Sequence, residues 1–123
     1  MKKMFFLFLV CALGASAHAQ IARNKWKGSL QLETMTDVLL SFGTDSLKAL
    51  ALPDSTEMET MVFKATDTLL TIKKIYGRSD CDESVSGKYK YTITKDELLL
   101  TLVADDCEGR SQVLNNSKWT RVK

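Results

Sequence analysis

From Lys25 to the C-terminus, apolar residues recur at every second position in short runs separated by turn-forming residues, and no long segment carries a helical repeat. A period of two turns one face of each run toward a core and the other toward water. Trp26, Gly28, Leu30 and Leu32 alternate with Lys25, Lys27, Ser29, Gln31 and Glu33, and Val38, Leu40 and Phe42 share one side of residues 37–42. Gly43-Thr44-Asp45 predicts a turn into a strand over 46–52, which Pro53-Asp54-Ser55 ends. Residues 57–65 and 68–76 form a further pair about Thr66-Asp67, with alternation too poor to fix which faces point inward. Beyond a polar loop at 77–86, Tyr89, Tyr91 and Ile93 oppose Lys88, Lys90 and Thr92. Thr94-Lys95-Asp96 then turns the chain into a strand over 97–104. There Leu98, Leu100 and Leu102 occupy one face and Leu99 and Val103 the other, which predicts a strand covered on both sides. A second polar connection, 105–117, with one helical turn at 111–114, leads to a last strand over 118–122.

Eight short strands joined by tight turns predict an all-β fold, an eight-stranded antiparallel up-and-down barrel, because closure removes the exposed edges of a sheet. A two-sheet β-sandwich is the alternative. No linker, internal repeat or low-complexity run argues for a second domain, so residues 20–123 are read as one unit.

Residues 1–19 are read as a cleavable signal peptide. Met1-Lys2-Lys3 is a positive start, Met4 to Ala15 is almost wholly apolar, and Ala17-His18-Ala19 supplies the small-x-small site that places cleavage before Gln20. The apolar stretch falls well short of the roughly twenty residues that a spanning helix needs. Cys11 follows Val10, where lipoprotein processing wants a small residue, so a lipid anchor is not expected. The mature protein is expected in the periplasm or secreted.

Cleavage reshapes the chemistry open to the chain. Removing 19 of 123 residues leaves 104, and losing Lys2 and Lys3 reduces 17 basic residues to 15 against 15 acidic. A formally neutral domain has no electrostatic footprint for nucleic acid or an anionic membrane. The single histidine, His18, goes with the leader, and with it histidine-based nucleophile systems and imidazole zinc sites. Glycine-rich phosphate loops and cofactor fingerprints are absent, so no cofactor and no enzymatic activity are expected. Of three cysteines, Cys81 and Cys107 remain, an even pair in an exported chain that reads as a disulfide. On chain-entropy grounds such a bond stabilises the fold by about 3.5 kcal/mol.

Gly87-Lys88-Tyr89-Lys90-Tyr91-Thr92-Ile93, the run Leu98 to Val103, Asp105-Asp106-Cys107-Glu108-Gly109-Arg110 and the closing Trp119-Thr120-Arg121-Val122 resemble small exported lipocalin-like proteins of bacteria. With Trp26-Lys27-Gly28 at the start, the resemblance covers most of the mature chain. It implies a ligand-binding barrel whose closed end is plugged by a tryptophan of the first strand with a nearby glycine, crossed by a late arginine. Trp26 takes the first role, and Arg110 or Arg121 the second. Gly28 follows the tryptophan by two residues where lipocalins place glycine two before it, and the chain is shorter than theirs, so a narrower or side-chain-filled interior is expected.

Phe42, Met61, Phe63, Tyr89, Tyr91 and Leu100 are candidates to line an interior site, since an apolar pocket with a few hydroxyls suits a small molecule. Simple filling of the core is an equal alternative for them. A Cys81–Cys107 bond would gather Asp80, Asp82, Asp105 and Asp106 into an oxygen-rich cluster of the kind that holds calcium, with Glu83 and Glu108 beside it. Solvated turns and caps are the favoured reading of these carboxylates, and no metal is assigned. The expected function is non-enzymatic binding of a small apolar or amphipathic ligand in the barrel. The alternative is a protein-interaction or inhibitor module of the cell envelope, working through the rim loops at 77–86 and 105–117 on a protein partner.

Overall fold

The computed structural model describes residues 20–123; the expected signal peptide, with Cys11 and His18, lies outside the described residues. Eight strands run in chain order: β1 (Lys25–Gln31), β2 (Met35–Phe42), β3 (Ser46–Ala51), β4 (Thr56–Ala65), β5 (Leu69–Gly77), β6 (Ser86–Thr94), β7 (Glu97–Asp105) and β8 (Ser117–Val122), with one helix, α1 (Glu108–Leu114), between the last two. Each strand pairs antiparallel with its sequence neighbour, and β1 pairs with β8, so the sheet is a closed up-and-down barrel rather than a sandwich.

The alternating positions face inward. Trp26, Val38, Leu40, Phe42, Leu47, Phe63, Leu70, Ile72, Tyr89, Tyr91, Leu98, Leu100 and Trp119 are all buried in one core. β1 stops two residues short of its expected end because the Leu32 amide donates to the Thr34 carbonyl (3.1 Å) in a tight turn, which leaves Leu32 at the rim.

Three bulges explain where the alternation fails. Ala49 faces Glu59 but Leu50 faces Glu57, so Met58 is an extra residue on β4. Thr60 faces Tyr76 and Met61 faces Lys74, leaving Ile75 extra on β5. Lys88 faces Ala104 and Tyr89 faces Leu102, leaving Val103 extra on β7. A bulge shifts the inward set by one residue and twists the strand. Val103 is accordingly 56% exposed, and β7 is not covered on both sides as its sequence suggested.

One end of the barrel is sealed. Ile21, fully buried, tucks under it, and the segment is held by the Phe42 amide donating to Asn24 O (3.0 Å) and the Arg23 amide donating to Gly43 O (3.2 Å). Trp26 and Trp119 fill the same end, and the Arg121 guanidinium lies over the Trp26 ring, 5.0 Å from its centroid. A Cβ on Gly28 would lie 2.8 Å from Lys118 O and 2.8 Å from Cε3 of Trp119. The glycine near Trp26 thus makes room for the second tryptophan, which the β1–β8 pairing brings across it.

Candidate functional site

The opposite end is open. There β1–β2, β3–β4, β5–β6 and β7–β8 are joined, and a cavity of ≈520 Å³ runs inward from the rim. Its wall is built mainly by β1 to β5: Leu30, Val38, Leu40, Leu47, Ala49, Met61, Leu70 and Ile72 contribute aliphatic surface, with Phe42 at depth. Leu100 and the helix residues Val113 and Leu114 complete it. The volume lies within the ~300–1,000 Å³ typical of small-molecule sites. The other half of the barrel is filled, because Tyr89, Tyr91, Trp119 and Trp26 are buried and form no part of that wall.

Polar groups are concentrated where the cavity meets the helix. Arg110, in the first turn of α1, is only 6% exposed and belongs to the cavity wall. Its Nε donates to Oδ2 of Asp105 (2.6 Å) and its Nη2 to Oδ1 (2.8 Å), a two-bond fork on a carboxylate that is itself fully enclosed. Nη2 also donates to the Val85 carbonyl (3.1 Å). Asp105 accepts in addition from the Tyr89 hydroxyl and from the Cys107 amide (3.0 Å), so each of its oxygens serves two donors. The sequence provides a seat for this carboxylate: a Cβ on Gly87 would run into Oδ2 of Asp105.

This burial and pairing set the charges. Burial alone would raise the Asp105 carboxyl, but the donors from Arg110, Tyr89 and Cys107 outweigh it and hold the group below its ordinary value. Burial would likewise lower Arg110, and Asp105 more than restores it. Burial, and then the accepting carboxylate, push the Tyr89 phenol well above its ordinary value, so it is a fixed donor. Tyr91 is raised as well, by burial and by nearby Asp67, while its hydroxyl donates to Thr66 O at the sealed end.

A second buried carboxylate, Glu59, lines the cavity and accepts from the Ser79 hydroxyl, with a long bond from the Ser79 amide (3.5 Å). Arg78 and Glu33 stand on the exposed part of the same rim. The Cys81–Cys107 disulfide, with Cα atoms 5.4 Å apart, ties the β5–β6 loop to the start of α1.

Of the six candidate lining residues, Phe42, Met61 and Leu100 do line the cavity, whereas Phe63, Tyr89 and Tyr91 fill the core beside it. Phe63 packs edge-on against Phe42, with ring centroids 5.0 Å apart. Arg110 does not cross Trp26; it stands at the open end, and Arg121 alone covers the ring. Asp80, Asp82, Asp105 and Asp106 do not converge, and among the described residues no three His, Cys, Asp or Glu side chains group as a cation site. Asp105 is committed to Arg110, and Asp82 accepts from the Ser84 amide (2.8 Å) and hydroxyl (2.7 Å) of its own turn, which lower its pKa.

A further depression of ≈560 Å³ lies outside the wall, where Lys27, Met35 and Asp37 are exposed beside Leu52-Pro53. It shares Thr34 and Thr36 with the cavity, but none of Arg110, Asp105 and Tyr89 lines it. The chain matches no family model, and no curated protein or solved structure shows significant similarity to it.

Proposed function

We propose that this chain is an exported, non-enzymatic, lipocalin-like binding protein that holds a small apolar or amphipathic molecule inside its barrel. The observation that supports the reading is the ≈520 Å³ aliphatic cavity, open at one end of an otherwise filled barrel and bordered by a few fixed polar groups. A barrel built only for stability gains from filling its interior, since packing voids cost stability. Export is supported by the leader pattern in residues 1–19 and is consistent with the disulfide. The reading as a binder rather than an enzyme follows from the composition of the mature chain, which has lost its histidine.

Native mass spectrometry of protein purified gently from the exported fraction is expected to show a co-purifying small mass. The Ala49→Phe variant, which places a ring in the cavity, is expected to lose both that mass and the uptake of the neutral apolar dye N-phenyl-1-naphthylamine. Dye uptake unchanged in the variant, or no uptake by the parent protein, would overturn the reading and favour a rim-loop interaction with another protein.

A further inference from the structure

Arg110 carries three donor nitrogens, and two of them are committed: Nε to Asp105, and Nη2 to Asp105 and Val85. The third, Nη1, is buried and has no acceptor among the described residues, on a side chain that forms part of the cavity wall. Buried donors are almost always paired, so an unpaired one on a side chain of the cavity wall marks where an occupant's oxygen belongs. Among the described residues two other nitrogens share its condition, Trp26 Nε1 and Arg121 Nε, but they sit at the sealed end and outside the cavity, where no occupant reaches them.

Charge selects the kind of oxygen. The guanidinium is already matched by Asp105, which contacts it through two bonds. The cavity wall further holds Glu33 and Glu59, with Arg78 as the one other cation in that wall among the described residues. A carboxylate head group would therefore add an anion to a site in which carboxylates already outnumber cations, and burying an unmatched charge is strongly unfavourable. A ligand ammonium fails for the opposite reason, since Nη1 can only donate and would meet it with like charge.

We infer that the occupant is a neutral amphiphile whose ester or amide carbonyl accepts from Nη1 of Arg110 while its hydrocarbon part lies along the aliphatic wall of β1 to β5. The inference rests on the binding function proposed above and narrows it to a ligand class. Fatty esters and amides fit it; free fatty acids and bare alkanes do not.

The test is displacement of N-phenyl-1-naphthylamine from the whole mature protein by methyl laurate, laurate and n-dodecane, molecules of matched chain that differ in head group. Methyl laurate is expected to bind about tenfold more tightly than n-dodecane, the gain of one hydrogen bond to a charged donor, and more tightly than laurate at pH 8. Nitrogen-15 NMR of the arginine side chains is expected to shift the Arg110 resonance with methyl laurate and leave it in place with n-dodecane. Equal binding of all three, or tightest binding of laurate, overturns the neutral-acceptor inference and leaves the cavity's binding role standing. A protein that takes up no dye at all removes the binding role itself.

Discussion

The two ends of this barrel each carry an arginine, and the two are used in opposite ways. At the sealed end Arg121 spreads over the Trp26 ring, and the tryptophans close the space beneath it. At the open end Arg110, a residue of the cavity wall, is held by a carboxylate, a carbonyl and a disulfide-anchored helix, and one of its nitrogens is left without an acceptor among the described residues. A cation over an aromatic face needs no particular acceptor and serves as a cover. A cation in a carboxylate fork is fixed in orientation and so can present its remaining donor to something else. The difference separates a stopper from a site, although both were equally good candidates for the stopper when only the chain was read.

The contrast can be broken from either end, and the mouth is the more sensitive. Asp105→Ala leaves Arg110 as an unmatched buried cation and is expected to lower unfolding stability by about 3–5 kcal/mol, read by urea denaturation. A loss comparable with that of the Arg121 variant below would erase the distinction between the ends. Removing the staple with Cys81→Ser and Cys107→Ser together is expected to cost about 3.5 kcal/mol and to loosen hydrogen-exchange protection first in residues 78–85 and α1. At the sealed end, Gly28→Ala pushes a methyl into the Trp119 ring, with an expected loss of about 1–3 kcal/mol and a change in tryptophan fluorescence. Arg121→Met removes only the cation over Trp26, about 0.5–1 kcal/mol in a thermal melt, with dye uptake unaltered.

The mildest lever is pH, which acts at the mouth through Asp105 and Tyr89 and at the sealed end through Tyr91. Asp105 has a lowered folded-state pKa, so its contribution is present above its ordinary value of 3.8 and is lost as pH falls below it. Tyr89 has a raised one, so its contribution is present below its ordinary value of 10.0 and is lost as pH rises beyond it. Denaturation midpoints measured across pH are expected to fall at both extremes. The alkaline fall should weaken in Asp105→Ala and persist in Arg121→Met.

Much of the architecture was legible because β1, β2 and β6 keep a strict period of two, and because Cys81 and Cys107 were the only cysteines left beyond the leader pattern. β4, β5 and β7 were harder for a physical reason. Met58, Ile75 and Val103 are bulge residues, and a bulge leaves no mark in composition while it reverses the facing of everything beyond it. The site was read only in part. Phe42, Met61 and Leu100 announce themselves as apolar positions, but whether such a residue bounds a space or fills one depends on what stands across the barrel. Glu59 gave no signal, since its burial depends on Ser79, a partner 20 residues away. Arg110 and Arg121 were interchangeable in sequence because the helix between β7 and β8 decides which end each one reaches.

The ladder that closes the barrel joins Trp26 to Arg121, partners 95 residues apart, through three registered pairs, whereas every other ladder links strands adjacent in the chain. Neighbouring hairpins can form early from local contacts, but the closing seam must wait for β1 and β8 to meet, and the entropy lost in that meeting is recovered only once the seam and the tryptophans behind it are in place. Folding of the barrel is therefore expected to end with the pairing of its first and last strands. A cavity that depends on a closed wall comes into being at that last step.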